Sequence, residues 1–355
     1  ALDHDGLFVA IGNQCLRLDP ATGQTQATYE MPAVDDGKSG RWGYVAAAGG
    51  LLYGSRCLRG RESDLLFAID PQTGKQCWVH TGKKIPHITI SIGDGSVCFI
   101  DRSVTDEQRR QAIERQRERI AELPQDEQAA ALAALDKADV QLACALDAET
   151  GQLAWQQPLD LTDCGGANLA TMYNDGVLVI FGVYLDGHYW QQFFAGTFAS
   201  RRVVALSTAD GSFLWSQPVG FRVRPVLIGD TLHTEPWAFD LHTGEPKTRV
   251  HPITGQTDRW QFARPGHHCG CPIGSPNCLF FRSYCLGYYD LLGDYGTMHF
   301  GAQRPGCWVN AIPAAGLLMM PEASAGCMCP FPNMCTVAFN PTDDKVGRTG
   351  RVNEV

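Results

Sequence analysis

The residues best suited to chemistry crowd into the last quarter of the chain. His267, His268, Cys269 and Cys271 stand side by side in the run Pro-Gly-His-His-Cys-Gly-Cys, and Cys307, Cys327, Cys329 and Cys335 follow on later loops. As thiolates, Cys269-x-Cys271 and Cys327-x-Cys329 are soft ligands, and His267 or His268 could complete a tetrahedral zinc or copper site. The spacing speaks against the commonest zinc pattern, because one residue separates these cysteines where zinc knuckles keep two to four. The competing reading is covalent. The Gly- and Pro-rich loops 264–277 and 321–333 hold few apolar anchors, and disulfides, at roughly 2–4 kcal/mol each, would fix them. A c-type haem needs C-x-x-C-H, which does not occur in this sequence.

Around this cluster lie Arg264, Arg282, Tyr284, Tyr288, Asp290, His299, Arg304 and Glu322. A Tyr or His base beside an Arg that neutralises a carboxylate suits elimination from an acidic sugar, and His or Asp near a metal suits hydrolysis. Arg282, Tyr288, Asp290, His299 and Arg304 are thus the candidate catalytic residues. In the plainer reading, Arg282 and Arg304 hydrogen-bond loop carbonyls and do nothing else. His188, Tyr189, Trp190, Phe193 and Phe194 make an aromatic-rich loop, which is a stacking platform if exposed and blade packing if buried. His4, His80, His87, His233, His242 and His251 are scattered and read as structural. No G-x-S-x-G, Walker loop, H-E-x-x-H or EF-hand loop is present.

These residues must be positioned by a chain of 355 residues with 44% hydrophobic and 19% charged residues, enough to bury a sizeable core. The formal net charge of −9 leaves no large basic surface for a phosphate backbone, so nucleic acid is not an expected partner. No apolar stretch reaches the roughly 20 residues that a membrane-spanning helix needs. Fourteen cysteines, eight of them between Cys269 and Cys335, together with a start at Ala1, fit an exported protein in the periplasm or outside the cell.

A block recurs through the chain: a short apolar run, Asp-x-x-Thr-Gly, then often a Trp. It stands at 16–30, 67–80, 144–158, 204–218 and 237–250. The leading Asp (Ser207 in the fourth copy) can accept turn amides, and Gly23, Gly74, Gly151, Gly211 and Gly244 supply the positive φ that closes a hairpin. Eight residues after the leading residue come Trp78, Trp155 and Trp215, each able to fill the wedge between adjacent sheets, with Ala27 and Thr248 in the other two copies. Alternating runs between the hairpins bring each unit to about four short strands at the roughly 40–50-residue period of propeller blades. The chain holds about seven such units, although eight blades fit too. The sixth (about 258–306) and seventh (about 307–343) replace the Asp-x-x-Thr-Gly turn with Cys-rich loops. Because the N-terminal piece starts in mid-unit, it is expected to complete a blade with the C-terminal strands.

With Ala-x-Asp-x-x-Thr-Gly-x-x-x-Trp almost complete in 143–155, these repeats resemble the PQQ-like, quinoprotein-alcohol-dehydrogenase-like β-propeller family over about residues 1–255. The resemblance implies the fold much more specifically than any function. Quinoproteins of that family hold their quinone with two adjacent cysteines. No Cys-Cys pair occurs here, which argues against PQQ itself as a cofactor; the cofactor is left open, a transition metal at the His/Cys cluster being one option. The blocks RPGHHCGC, FRSYCLGYYDL, FGAQRPGC and PEASAGCMCP are similar to the C-terminal part of large uncharacterised exported bacterial proteins with such repeats. This implies a shared local structure and brings no activity with it, and whether the chain is one part of a larger polypeptide or complex stays open.

One segment, 105–138, favours helix: Thr105 or Asp106 can cap it, and Pro124 with Asp126 marks a break and restart. It reads as a helical hairpin inserted in the third blade, packed through a narrow stripe of Ile113, Ile120 and Leu123. The expectation is a single all-β propeller domain over 1–355, with the hairpin at 105–138 and Cys-rich loops at 264–335 in the last two blades. The leading function is an exported propeller that binds a ligand or partner on its central face near those loops, the ligand being a protein, a carbohydrate or another small molecule. The alternative is an enzyme on the same face, either metal-assisted or redox through the His/Cys cluster, or a lyase or hydrolase acting on acidic carbohydrate.

Overall fold

The turn at the heart of each repeat forms as its residue types dictate. Asp19, Asp70, Asp147 and Asp240 each accept backbone N–H bonds from the residues two and three further on. In each turn the Thr hydroxyl returns to the same carboxylate, and the Gly N–H donates to the carbonyl of the leading residue. Hydrogen bonds from Thr22, Thr73 and Thr150 hold the Asp19, Asp70 and Asp147 carboxyls below the usual range. The closing glycines sit in the left-handed region, for example Gly74 at φ 70° and Gly151 at φ 68°.

The computed structural model describes residues 1–340 apart from 5, 184–194, 197–200, 222, 252, 302, 308 and 323–334. The first blade is β1 (Leu2–Asp3), β2 (Gly6–Ile11), β3 (Gln14–Leu18) and β4 (Thr25–Glu30). The second is β5 (Arg41–Ala48), β6 (Leu51–Arg59), β7 (Glu62–Ile69) and β8 (Gln76–Pro86). The third is β9 (Ser91–Gly93), β10 (Ser96–Asp101), β11 (Val140–Asp147) and β12 (Leu153–Asp160). The fourth is β13 (Leu169–Asn174), β14 (Val177–Gly182), β15 (Arg202–Ser207) and β16 (Phe213–Pro218). In the fifth, β17 (Val226–Ile228), β18 (Thr231–His233) and β19 (Ala238–Asp240) form the sheet, and a hairpin of β20 (Thr248–Val250) and β21 (Thr257–Arg259) branches from it. The sixth is β22 (Ile273–Ser275), β23 (Cys278–Ser283), β24 (Cys285–Asp290) and β25 (Thr297–His299), and the seventh is β26 (Ile312–Ala314), β27 (Leu317–Met320) and β28 (Val337–Phe339). Every named pairing is antiparallel between sequence neighbours, so the fold class is the all-β, seven-bladed propeller that the repeat implies. Among the described residues the expected mixed blade does not form. Leu2 pairs with Leu7 and Asp3 with Gly6, so the first thirty residues build a four-stranded sheet by themselves.

Two compact units carry the blades. In the first, Ala1–Val183 with Arg201–Pro218, successive sheets bury alternate faces against one another. Phe8, Cys15 and Tyr29 of blade 1 meet Trp42, Leu52, Phe67 and Ile69 of blade 2. Tyr53, Leu66, Ala68 and Trp78 on the opposite face of blade 2 meet Val97, Phe99, Cys144 and Leu146 of blade 3. The repeat tryptophans lock these wedges: Trp78 Nε1 donates to the Ala148 carbonyl at 2.9 Å and Trp155 Nε1 to Thr208 at 2.7 Å. Both acceptors are the second residue of the next blade's turn. In blade 1, where Ala27 holds the tryptophan's place, Tyr29 reaches the equivalent Pro71 carbonyl with its hydroxyl at 2.7 Å.

The helical hairpin sits between β10 and β11 as expected, with α1 (Asp106–Ala121) and α2 (Gln125–Ala134). Thr105 caps it through a capping box with Gln108. Its packed stripe is Ala112 and Ile120, with the Arg119 guanidinium 3.8 Å over the Phe213 ring, whereas Leu123 is exposed.

The second unit, from Val219 onward, carries blades 5 to 7, with cores of Ala238, Trp260, Phe262, Leu279, Phe281 and Tyr289, and of Leu286, Ala311, Leu318 and Met320. Its fifth blade conceals a repeat tryptophan. Phe239 bridges Pro246 as Ile69 pairs with Gln76, and Trp237 bridges Gln261 as Phe67 pairs with Val79. Trp260 therefore occupies the place of Trp78, displaced by the β20–β21 hairpin, and Thr248 merely opens that hairpin.

Candidate functional site

The Cys-rich loop begins at a buried ion pair. Glu235 Oε2 lies 3.0 Å from Arg264 Nη2, both side chains are enclosed, and Arg264 Nη1 donates to the Gly270 carbonyl at 2.8 Å. Arg264 thereby orders the backbone of 269–270. His268 Nδ1 lies 2.7 Å from the Gly266 carbonyl, and His267 Nε2 lies 3.9 Å from Cys269 Sγ with its ring centroid 5.9 Å from that of Tyr284. Cys271 is held by Asn310 Nδ2, which donates to its carbonyl at 2.7 Å, and burial pushes its thiol pKa up. Among the described residues no three of His, Cys, Asp and Glu converge to hold a metal ion. Cys327 and Cys329 lie outside the described residues, as does the aromatic loop of His188, Tyr189, Trp190, Phe193 and Phe194. Cys271, Cys278 and Cys285 carry thiols and enter no disulfide. Cys15 and Cys98 in strands and Cys164 in the turn after β12 are the small buried hydrophobes expected, with burial pushing their thiols up to about 11, 12 and 12.

The candidate acid–base residues fall on the β23–β25 hairpins. Cross-strand neighbours share a face, so Phe280, Tyr288 and Met298 lie together, while Phe281, Gly287 and His299 lie on the opposite face. His299 is therefore separated from Tyr288 by the thickness of the sheet. Tyr288 directs its hydroxyl to Met298 Sδ at 3.0 Å. Arg282 is fully enclosed, with Nη1 3.1 Å from Cys307 Sγ, and Arg304 is buried. Glu322 is exposed, its backbone N–H bonding Thr336 Oγ1. Asp290 proves to be the turn residue of blade 6. It accepts the Leu292 N–H at 2.9 Å, its carbonyl accepts the Asp294 N–H at 3.0 Å, and Asp294 at φ 52° stands where the other turns have Gly. The repeat turn thus persists in the sixth blade as Asp-Leu-Leu-Gly-Asp.

Two open clefts flank blade 6. The first, of about 820 Å³, runs between blades 6 and 7 and is chiefly apolar, lined by Cys278, Phe280, Phe300, Pro313, Leu317 and Phe339. At its margin Met298 is 51% and Phe300 37% exposed. The second, of about 750 Å³, lies between blades 5 and 6 and mixes Leu227, Ile228 and Trp260 with Asp230, His233 and Lys247. Lys247 Nζ bridges Asp240 at 2.9 Å and Asp230 at 3.2 Å, and this pairing holds the Asp240 carboxyl down at about 2. The imidazole of His233 is 7% exposed and packs edge-on to Trp260 at 5.0 Å. Desolvation holds its pKa down at about 4, so it is neutral at pH 7.

Blade sheets, Asp-centred turns and interblade tryptophans together define a β-propeller of PQQ-like repeats. More particularly, the chain belongs to the family described as outer membrane protein assembly factor BamB, which matches residues 12–248. BamB from Moraxella catarrhalis is similar at 12% identity and a TM-score of 0.49, with 96% of this chain and 82% of that chain covered. The computationally designed Ika8 protein is similar at 10% identity and a TM-score of 0.49, over 90% of this chain and 79% of its own. No curated protein matches. No helix among the described residues is long and apolar enough to cross a membrane.

Proposed function

We propose that the protein is an exported propeller of the bacterial envelope that binds a partner protein through the apolar groove of blades 6 and 7, beside the Cys-rich loops. The observation that carries this reading is the groove itself: Phe280, Phe300, Leu317 and Phe339 line an open cleft of about 820 Å³, and Met298, on the same sheet face as Phe280, is exposed beside it. Leaving such a surface in water costs roughly 25 cal/mol per Å², and a partner that covers it recovers that energy. Family membership supports an envelope location and a role within an assembly, because the family description names outer membrane protein assembly.

The test is photo-crosslinking in cells, with a benzophenone amino acid placed at Phe300 and, as a control, at the exposed Leu58 of blade 2. A discrete adduct from Phe300, absent from Leu58 and lost on Leu317→Asp in the groove lining, is expected. Equal adducts from both positions, or none from Phe300, would refute the surface. The location is tested through the exposed Cys77, which a maleimide unable to cross the inner membrane should label in intact cells. Protection of Cys77 until lysis would place the protein in the cytoplasm.

A further inference from the structure

We propose that the cleft between blades 5 and 6 binds an uncharged, hydroxyl-rich ring ligand of mono- or disaccharide size. The first observation is a residue in an unexpected place. His233 lies opposite Ala238, as Tyr53 lies opposite Ala68, Cys98 opposite Ala145 and Val179 opposite Ala205. Where blades 3 and 4 carry a thiol and an isopropyl group at this inner position, blade 5 carries an imidazole. Among the described residues nothing hydrogen-bonds either ring nitrogen, and Nδ1 is completely enclosed. The enclosed Nδ1 is an unpaired polar atom that costs folding free energy, and Nε2, also without a partner among the described residues, is the nitrogen left to a molecule in the cleft that His233 lines.

The second observation is the indole of Trp260. It holds the place of Trp78 and Trp155, yet no acceptor among the described residues takes its N–H, whereas those two donate to the next blade's turn. A neutral imidazole and a free indole N–H thus line one cleft, over a floor of Leu227, Ile228 and Leu291. The mouth adds Asp230, Thr231, Thr248 and Ser275. Two carboxylates, Asp230 and Asp240, outnumber the single Lys247 ammonium that bridges them, and the resulting negative potential disfavours anions. Donors, acceptors, apolar floor and a volume of about 750 Å³ together match a neutral sugar in a small-molecule site.

Ligand-observed saturation-transfer NMR and tryptophan fluorescence on the full chain, with glucose, N-acetylglucosamine and maltose as probes and glucuronate as the anionic control, test this. Binding of at least one neutral sugar, with none of glucuronate, is expected. His233→Val should weaken that binding by at least about tenfold while leaving Tm unchanged or higher. Thr248→Trp, at an exposed position on the mouth, should block binding with Tm unchanged and does not disturb the core. No binding of any neutral sugar, equal binding of glucuronate, or undiminished binding by Thr248→Trp would each overturn the proposal, as would His233→Val that keeps both fold and affinity. None of these outcomes bears on the blade 6–7 groove.

Discussion

Gly74 and Gly151 hold the same place in successive turns at nearly the same φ, 70° and 68°, yet a methyl group added to each meets different surroundings. At Gly74 nothing lies within 4 Å, because the preceding blade has Ala27 in the tryptophan position. At Gly151 the new Cβ would stand 2.5 Å from Cδ2 of Trp78, inside van der Waals contact. Gly74→Ala therefore measures the backbone cost of an L-residue in the left-handed region alone, roughly 1–2 kcal/mol. Gly151→Ala carries that cost plus overpacking of a ring wedged between sheets, roughly 1–3 kcal/mol more. In a Trp78→Ala background the second contribution vanishes, so Gly151→Ala should then cost about what Gly74→Ala does, and the cycle should give a coupling of about 1–3 kcal/mol. Urea unfolding followed by circular dichroism on the four variants supplies the numbers. Equal losses from Gly74→Ala and Gly151→Ala in the wild-type background, or no coupling to Trp78, would show that the tryptophan does not seat on the neighbouring turn and would remove the physical account of the repeat.

Tyr29→Phe deletes the hydroxyl that takes the place of the missing indole N–H in blade 1 and leaves the Pro71 carbonyl only the longer bond from Arg17 Nη1 at 3.4 Å; a loss of about 1 kcal/mol in chemical denaturation is expected, against none for a buried tyrosine used only for its ring. Native titration with Ellman's reagent at pH 8 should lose one fast-reacting thiol on Cys77→Ser, while Cys98 and Cys164, whose thiols burial pushes up to about 12, react only after urea unfolds the chain. His233 is neutral in the folded state down to about pH 4, whereas an unfolded imidazole takes up its proton near 6.5. The unfolded chain thus binds more protons between those values, and stability should fall as pH is lowered from about 6.5 to 4, by up to ~3 kcal/mol from this residue. His233→Val should flatten that part of the thermal stability profile, and an unchanged profile would show that the imidazole is already charged in the fold.

Where the repeat keeps its spelling, the fold could be read directly. Asp70, Thr73, Gly74 and Trp78 announce a turn, a hairpin and a wedge, and the structure builds all three. The reading failed where an insertion or a substitution preserves the physics but alters the spelling. The hairpin from Thr248 to Arg259 separates Trp260 from its turn, and it carries a near copy of the motif, His251-Pro-Ile-Thr-Gly255, in which His251 Nδ1 accepts the amides that an Asp carboxylate accepts elsewhere. Blade 6 hides its turn because Asp294 adopts the left-handed conformation normally left to Gly, so Asp290 looked like a spare carboxylate. The cleft beside His233 has no sequence signature, since it depends on which residues of two separate sheets face each other across the wedge.

That dependence gives the degenerate blades their interest. In blades 3 and 4 each turn serves two sheets at once, its own hairpin and the tryptophan of the blade before, so a substitution there is felt twice and the wedge stays full. At the turn of blade 6 the double duty lapses. Trp260 arrives without an acceptor, Asp294 spends its side chain on Arg249 and Tyr289, and Met298 and Phe300 lie open on the outer strand. Each lapse relieves a packing constraint and leaves surface or polar capacity that the fold itself does not use. Natural sequences depart from their own local rules chiefly where function compensates for the loss, and both clefts flank the blade where the departures are densest. The same reasoning separates the two surfaces by chemistry: the blade 6–7 groove offers hydrophobic area and little else, which suits another protein, whereas the blade 5–6 cleft offers unsatisfied hydrogen-bonding groups, which only a small polar molecule can reach.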